Sequence, residues 1–399
     1  MTFALAGDVK LLNIVPNWSE KYSVALEYKT DIVTTRGGQE QRRSLRRTSR
    51  RTLSFKSTMV GSQVRKFDMT MRAWQGRRFA IPDYTRSMFV AADVGTIDTV
   101  IHVDGLPAWA EVGVPIMLMN EDASLSSFGF IAALGSSTIT LQSVVGATWP
   151  AGTEIRRVQV GKLAVSFDTS RATNETCEVS LDFAVEPGSE AYIEPPAAST
   201  FYLGSELFSM APNWATPMTA TAQANPEVMD YGFGVITYFE PQLFRQEIWQ
   251  STFLVQDEGL AAIEQFHARC RGRRGSFFAP TWRADLKIIA SFADSATTLL
   301  FEGPELTALL ASDSASKDIA IIGNDFSVHP YRISSLSAVG TNSQAILSAP
   351  MPAGYTIDDV MMVCWLPKWR LGSDILTMDY VSSTVAQFQL NMISLESDA

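Results

Sequence analysis

Cysteine and histidine are scarce, with three of each in 399 residues. Cys177, Cys270 and Cys364 lie far apart and form no C-x-x-C pair, which excludes a disulfide framework and a thiolate zinc site as organising elements. Buried, reduced thiols are expected. His267 and Cys270 stand three apart on one helical face and could supply two ligands of a metal. No second pair accompanies them, so a core histidine beside a small buried thiol is the preferred reading. His102 and His329 have no recognisable partner. No segment supplies the roughly 18 consecutive apolar residues of a membrane-spanning helix, so no stable membrane insertion is expected. Met1 to Pro16 is broken by Asp8 and Lys10 and lacks the basic front of a signal peptide, so synthesis and folding in cytoplasm are expected. The motifs G-x-S-x-G, H-E-x-x-H, the P-loop and G-x-G-x-x-G are absent, and no carboxylate pair stands out as an acid and nucleophile. The chain is therefore expected not to be an enzyme, with no catalytic residue, cofactor or metal assigned. Basic charge is also short: 32 Lys and Arg face 42 Asp and Glu, a net charge of −10 that repels nucleic acid as a whole.

What is present is a repeat. Pro16-Asn17-Trp18 returns as Pro212-Asn213-Trp214, and Gly76-Arg77-Arg78 as Gly272-Arg273-Arg274, both after 196 residues. Pro150-Ala151-Gly152 with Ile155 returns as Pro352-Ala353-Gly354 with Ile357 after 202 residues, a drift that implies short loop insertions. With 46% hydrophobic and 19% charged residues the chain is globular, and each half is long enough to be compound.

Within one half, Tyr22 to Tyr28, Asp31 to Thr35 and Leu45 to Phe55 have the composition of antiparallel strands, with a turn at Gly37-Gly38. The period then changes. Val60, Val64, Phe67, Met71 and Trp74 recur at three and four, the stripe of an amphipathic helix that Gly76 ends. The last four map to Leu260, Ile263, His267 and Cys270 in the second half. Short strands and regular turns follow each helix, including Ser137 to Leu141 and Glu154 to Val160, and suggest an inserted small β-barrel. Each half then ends in one or two long alternating strands, Val165 to Val185 and Ile375 to Ile393, which could rejoin the parent sheet. The expected fold is mainly β with a few helices: a tandem duplication of a tube-like β-sandwich or split-barrel domain with one helix. The first domain takes 1–95 and 160–188, with a barrel at 96–159; the second takes 201–295 and 360–399, with a barrel at 296–359. A linker at 189–200 is marked by Glu194-Pro195-Pro196.

The strongest local signal is the paired run Arg42-Arg43, Arg46-Arg47 and Arg50-Arg51. Guanidinium groups at this spacing could track phosphates, or form an interface carrying salt bridges to a neighbouring subunit. The corresponding second-half positions, Tyr238, Phe239, Gln242, Leu243, Gln246 and Glu247, are not basic, which favours a face that meets two unlike neighbours. Phe277-Phe278 with Trp282, and Trp365 with Trp369, could stack sugars, but strand aromatics more often serve core or interface.

An Asn-Trp opening, a basic strand with Gln41-Arg42-Arg43, a helix ending in Gly-Arg-Arg and an aromatic-Pro segment follow in order. The last piece is Phe79-Ala80-Ile81-Pro82-Asp83-Tyr84 in one half and Phe277-Phe278-Ala279-Pro280-Thr281-Trp282 in the other. This order resembles tail-tip proteins of long-tailed bacteriophages and gene-transfer agents: distal tail and baseplate hub proteins built on the tail-tube fold. The resemblance implies a structural ring around the DNA channel that connects the tail tube to the central spike or fibres. Its location would be the virion tail tip, after synthesis in the host bacterial cytoplasm. The partners it implies are other copies of the chain, neighbouring tail proteins, and genomic DNA only in passage. Six-fold tubes and three-fold spikes would both be met by a trimer of two-domain chains, which is preferred over a hexamer. The iron–sulfur cluster of some related tip proteins is not carried over, because the cysteines do not cluster. Arg42, Arg43, Arg46, Arg47, Arg50, Arg51, Arg77, Arg78, Arg273 and Arg274 are the expected assembly residues. The alternative is a carbohydrate-binding adhesin and, behind it, a cell-wall or polysaccharide hydrolase.

Overall fold

The computed structural model describes residues 9–395, apart from 108, 121–124, 187–194, 199, 224–226, 240–245, 257, 294 and 311–316. Most of the expected linker, 189–194 and 199, therefore lies outside the described residues. The fold is mainly β, as expected, with three α-helices among the described residues.

The first half runs β1 (Val9–Leu11), β2 (Tyr22–Glu27), β3 (Thr30–Thr34), β4 (Glu40–Ser44), β5 (Arg50–Val60), α1 (Ser62–Trp74), β6 (Arg78–Phe89), β7 (Val100–His102), β8 (Pro115–Met119), β9 (Ser126–Leu134), β10 (Thr138–Leu141), β11 (Glu154–Leu163), β12 (Thr169–Arg171) and β13 (Thr176–Val185). Period two decides which faces are buried. Tyr22, Val24 and Leu26 point inward from β2, and Leu53, Phe55, Ser57 and Met59 from β5. In α1 the buried residues are Val64, Phe67 and Met71, the expected stripe. Val60 belongs instead to β5 and is exposed, while Trp74 packs partly buried against the core and donates its indole N–H to the Arg78 carbonyl at 3.0 Å.

The second half runs β14 (Phe201–Tyr202), β15 (Ser205–Leu207), β16 (Thr219–Gln223), β17 (Glu227–Met229), β18 (Thr237–Phe239), β19 (Gln246–Gln256), α2 (Glu258–Cys270), a 3₁₀ turn at Gly272–Arg274, β20 (Ser276–Phe278), β21 (Thr298–Phe301), α3 (Glu305–Leu310), β22 (Asp318–Gly323), β23 (Val328–Val339), β24 (Asn342–Leu347), β25 (Val360–Trp365), β26 (Lys368–Leu371), β27 (Ile375–Tyr380) and β28 (Val385–Ser394).

Pairing gives both halves one strand order. In the first it is β1-β6-β11-β13-β5-β2, with β1 parallel to β6 and every other pair antiparallel. In the second it is β15-β20-β26-β28-β19-β16, again with only the first pair parallel. Of the one or two strands expected in each of the segments Val165 to Val185 and Ile375 to Ile393, two are present, paired as the hairpins β12–β13 and β27–β28.

The inserted barrels grow out of the parent sheets. β6 and β11 pair along their whole length with a bulge between Arg156 and Val158, and beyond it they join β8, β9, β10 and β7. A bridge from Val90 to Val103 closes the circuit around a separate core that includes Ile101, Ile116, Ile131, Ile139 and Ile155. The second barrel follows the same path through β25, β22, β23, β24 and β21, closed by bridges from Leu286 to Val363 and from Ile288 to Phe301. Both circuits remove free edges at a low cost in chain length.

The two halves share one sheet. β2 pairs antiparallel with β27, Tyr22 opposite Tyr380 through Glu27 opposite Ile375, while its other edge holds β5. One apolar core accordingly takes Val24, Leu53 and Phe183 from the first half and Phe253, Ile263 and Phe388 from the second.

Candidate assembly interface

The joint between the halves is built by a strand and an arm. The strand pair β2–β27 carries side-chain contacts on its polar face: Ser23 Oγ donates to Asp379 Oδ1 at 2.6 Å, and Lys21 Nζ to Asp379 Oδ2 at 3.0 Å. The arm is the β3–β4 hairpin, which leaves the sheet at Tyr28 and lies on the turn after α2. Asp374 receives it: Thr30 donates its N–H at 2.8 Å and its hydroxyl at 2.7 Å, and the Arg273 N–H donates at 2.9 Å. Burial pushes the Asp374 carboxyl up, but these hydrogen bonds and the Arg273 charge outweigh it and hold the carboxyl below its ordinary value. Further along, Arg370 grips Glu40 bidentately at 2.6 and 2.7 Å, and Arg42 donates to the Gly275 carbonyl at 3.3 Å.

Below the arm, Arg51 and Asp83 of the first half meet Glu264 of the second. Arg51 donates to Asp83 at 3.3 Å and to Glu264 at 3.0 Å, and Arg86 donates to the other Glu264 oxygen at 3.0 Å. Asp83 is fully enclosed and also accepts from Thr85 N and Oγ1 at 3.1 and 2.6 Å. Two arginines of one half thus hold a single carboxylate of the other.

The arginine run does not form the single face its spacing suggested. Arg42 and Arg43 lie on β4, Arg46 and Arg47 in the connection, and Arg50 and Arg51 at the start of β5. Arg51 is buried inside the chain and is removed from the set of surface residues, because adjacent strand residues face opposite sides. Arg42 and Arg46 are partly buried, Arg46 pairing with Glu27 at 3.1 Å. Arg43, Arg47 and Arg50 are exposed. In the Gly-Arg-Arg turns, Arg78 binds Glu186, Arg77 lies over the Trp74 ring at 4.6 Å, Arg273 binds Asp374, and Arg274 is exposed. Sequence reasoning missed the acidic partners, Glu40, Asp83, Glu264 and Asp374, which have no local signature.

Of the other singled-out residues, His102 is exposed, His329 and Trp365 are partly buried, and the rest are interior. Phe277, Phe278, Trp282 and Trp369 are buried and present no face to a sugar. The three cysteines are buried and free of disulfides. His267 packs edge-on against Tyr28 at 5.2 Å, on the underside of the joint. Among the described residues no group of three or more His, Cys, Asp and Glu is placed to hold a metal ion, and no helix is long and apolar enough to cross a membrane.

The two Gly-Arg-Arg turns differ in one respect. Gly272 has φ +68°, and a Cβ there would overlap Asp374 Oδ1 and stand 3.0 Å from the Tyr28 Cβ. Gly76 has φ +81° and open space where its Cβ would stand. Both substitutions by alanine carry the cost of a positive φ, and only Gly272→Ala also overpacks. It is expected to cost about 1–3 kcal/mol more than Gly76→Ala in denaturant unfolding.

Two edges of the sheet repeat the joint's components. Among the described residues β16 pairs on one side only, with β19, and β12 on one side only, with β13. Both are exposed along their whole length. Ladder positions identify them. Ser23 and Thr219 lie opposite Ser54 and Gln250, which stand 196 residues apart in β5 and β19, so β16 occupies the place of β2. Asp379 and Ser170 lie opposite Gln387 and Glu178 in β28 and β13, so β12 occupies the place of β27. Free edges are commonly guarded by lysine, proline or a bulge, and the β16 sequence Thr-Ala-Thr-Ala-Gln has none of these.

No protein-family model matches the chain, and no curated protein matches it.

Proposed function

We propose that the protein is a structural component of a bacteriophage tail tip or baseplate, forming a ring around the DNA channel and connecting the tail tube to the central spike or fibres. The observation that carries this reading is the pair of exposed edges, β12 and β16, which stand in the places of the two strands joined inside the chain. A contact between unlike surfaces propagates head to tail and closes if the rotation per unit allows. If each half advances the sheet by one step, three chains supply six similar units, which favours a trimer over a hexamer of whole chains. Edge pairing of this kind draws affinity from the backbone and tolerates the divergence between the halves. The order of the Asn-Trp, Gly-Arg-Arg and aromatic-Pro segments supplies the tail-tip assignment, and the acidic chain suits a channel through which DNA passes without binding.

The internal register, Ser23 opposite Asp379, places Thr219 of one chain opposite Ser170 of the next. Opposed antiparallel residues have Cβ atoms about 4.5–5.5 Å apart, close to disulfide reach. The double variant Ser170→Cys/Thr219→Cys is expected to oxidise into a covalent ladder that stops at three chains, with native mass spectrometry of the parent protein giving the same number. A ladder ending at six would replace the trimer by a hexamer. A chain that stays monomeric in both measurements would discard the ring.

A further inference from the structure

The β17–β18 hairpin is the most apolar exposed element of the described chain. Val228, Tyr231, Phe233, Val235 and Tyr238 are 55, 75, 85, 90 and 66% exposed, within an element that pairs with no strand outside itself. A soluble surface rarely carries so dense a patch without a partner.

Its place in the fold identifies that partner. In β3–β4, Ile32 lies opposite Arg42 and Val33 opposite Gln41; in β17–β18, Val228 lies opposite Tyr238 and Met229 opposite Thr237. Each of these positions is displaced by 196 residues, the displacement that also relates β5 to β19 and α1 to α2. The first hairpin is the arm seated on the turn after α2. The second corresponds to it and would be seated on a turn after α1, which within one chain belongs to the half on the other side of the joint. The arms follow one another: the Arg36 guanidinium at the tip of the first lies 5.2 Å from the Phe239 ring at the base of the second.

We infer that the 227–239 hairpin is an arm that docks on the turn at residues 75–78 and on Val165 of a second copy of this chain, locking the β12–β16 edge contact. This rests on the ring reading above.

The seat has the matching shape and chemistry. Gly76 takes the place of Gly272, and open space surrounds it where Tyr28 and Asp374 crowd the latter. Lys162 lies opposite Ala184 as Arg370 lies opposite Ile393, so it takes the place of the arginine that grips Glu40. Val165 follows two residues after β11, as Asp374 follows three after β26, and Gln75 Nε2 donates to the Val165 carbonyl at 3.3 Å, which fixes it beside the turn. Val165 is 96% exposed. Acidic groups have left both surfaces in concert. Asp374 in the internal seat becomes Val165, while Glu40 and Arg42 on the internal arm become Ile236 and Tyr238. A charged arm on an acidic seat inside the chain is thus matched by an apolar arm and a seat that has exchanged its carboxylate for an exposed valine at its two ends. That difference also keeps the second arm from competing for the internal seat, where Arg370 would lose Glu40.

The test uses the full chain with Phe233→Asp on the arm and, separately, Val165→Asp on the seat. Both residues are exposed, so each monomer is expected to keep the parent's melting temperature. Each variant is expected to raise the chain concentration needed for the oligomer by at least about tenfold, measured by sedimentation. Mixing the two variants restores one intact joint, because one chain supplies a good arm and the other a good seat; the mixture is expected to give heterodimers and no ring. A parent chain that oligomerises and cross-links through Ser170→Cys/Thr219→Cys, with both charge variants leaving the oligomer unchanged, overturns the arm and leaves the ring standing. A variant oligomer that fails alone and also fails on mixing assigns the hairpin to a different partner and overturns the docking. A monomeric parent overturns the ring itself.

Discussion

Arg51→Ala is expected to destabilise the protein by about 3–5 kcal/mol, the loss typical when one partner of a buried ion pair is removed. Arg51 is 6% exposed and neutralises Asp83, which has no exposure at all, while its other amine reaches Glu264 in the opposite half. Truncation leaves the Asp83 carboxylate in a closed site with hydrogen bonds from Thr85 and Gln159 but without its closest cation. Arg86 lies 3.9 Å from Asp83 and is already committed to Glu264. The effect should therefore extend beyond the first half, because the carboxylate that ties α2 to β5 and β6 loses one of its two arginines. Unfolding in urea, followed by tryptophan fluorescence, measures it. Arg51→Met with Asp83→Asn should recover much of the loss, since the uncompensated charge is then gone. If the Arg51→Ala midpoint moved as little as that of Arg171→Ala, whose pair with Asp68 is solvated, the network would not be what holds the halves together.

Arg51 also illustrates what a sequence conceals. Pairs of arginines every four residues suggest one face only if the segment keeps one conformation, and here the chain passes from β4 through a connection into β5 between Ser44 and Arg50. Alternation then sends Arg50 outward and Arg51 into the core. The helix was legible because its period is local: Val64, Phe67 and Met71 mark α1, and of their counterparts on α2, Ile263 and His267 are buried and Leu260 packs partly buried against the core. The inserted barrels were legible from turn spacing, although their true limits run into β6 and β11, which serve barrel and parent sheet alike. The joint was not legible. β2 and β27 are separated by about 350 residues, and neither carries a mark of its partner; their register is set by the hairpins and helices that position them. The acidic seat had the same obscurity, since Asp374 acquires its role from Gly272 and Thr30, neither of which is near it in the chain. The apolar arm could have been found from Tyr231-Gly232-Phe233-Gly234-Val235-Ile236, where large apolar residues alternate with glycines unsuited to a packed strand.

Mild acid is expected to weaken the same joint through His267. Its ring is 1% exposed, and Tyr28 covers it edge-on. Burial lowers its pKa from 6.5 to about 4, the nearby Asp374 carboxylate opposing the shift without reversing it. A histidine with a depressed folded-state pKa binds its proton more readily when unfolded. Its contribution is therefore complete above pH 6.5 and is withdrawn as the pH falls toward 4. A displacement of this size corresponds to about 3 kcal/mol. Asp374 acts in a different window: its carboxyl is held low, so its contribution is lost only as the pH falls below the ordinary carboxylate range. Denaturant midpoints measured between pH 7 and 4 should thus fall first because of His267. His267→Leu should flatten that part of the profile while leaving the steeper acid limb in place. An unchanged profile in the leucine variant would remove His267 as the cause. The loss should be felt first at the arm, because charging the imidazole beneath Tyr28 invites water to the point where β2 leaves the shared sheet and the first hairpin turns toward Asp374.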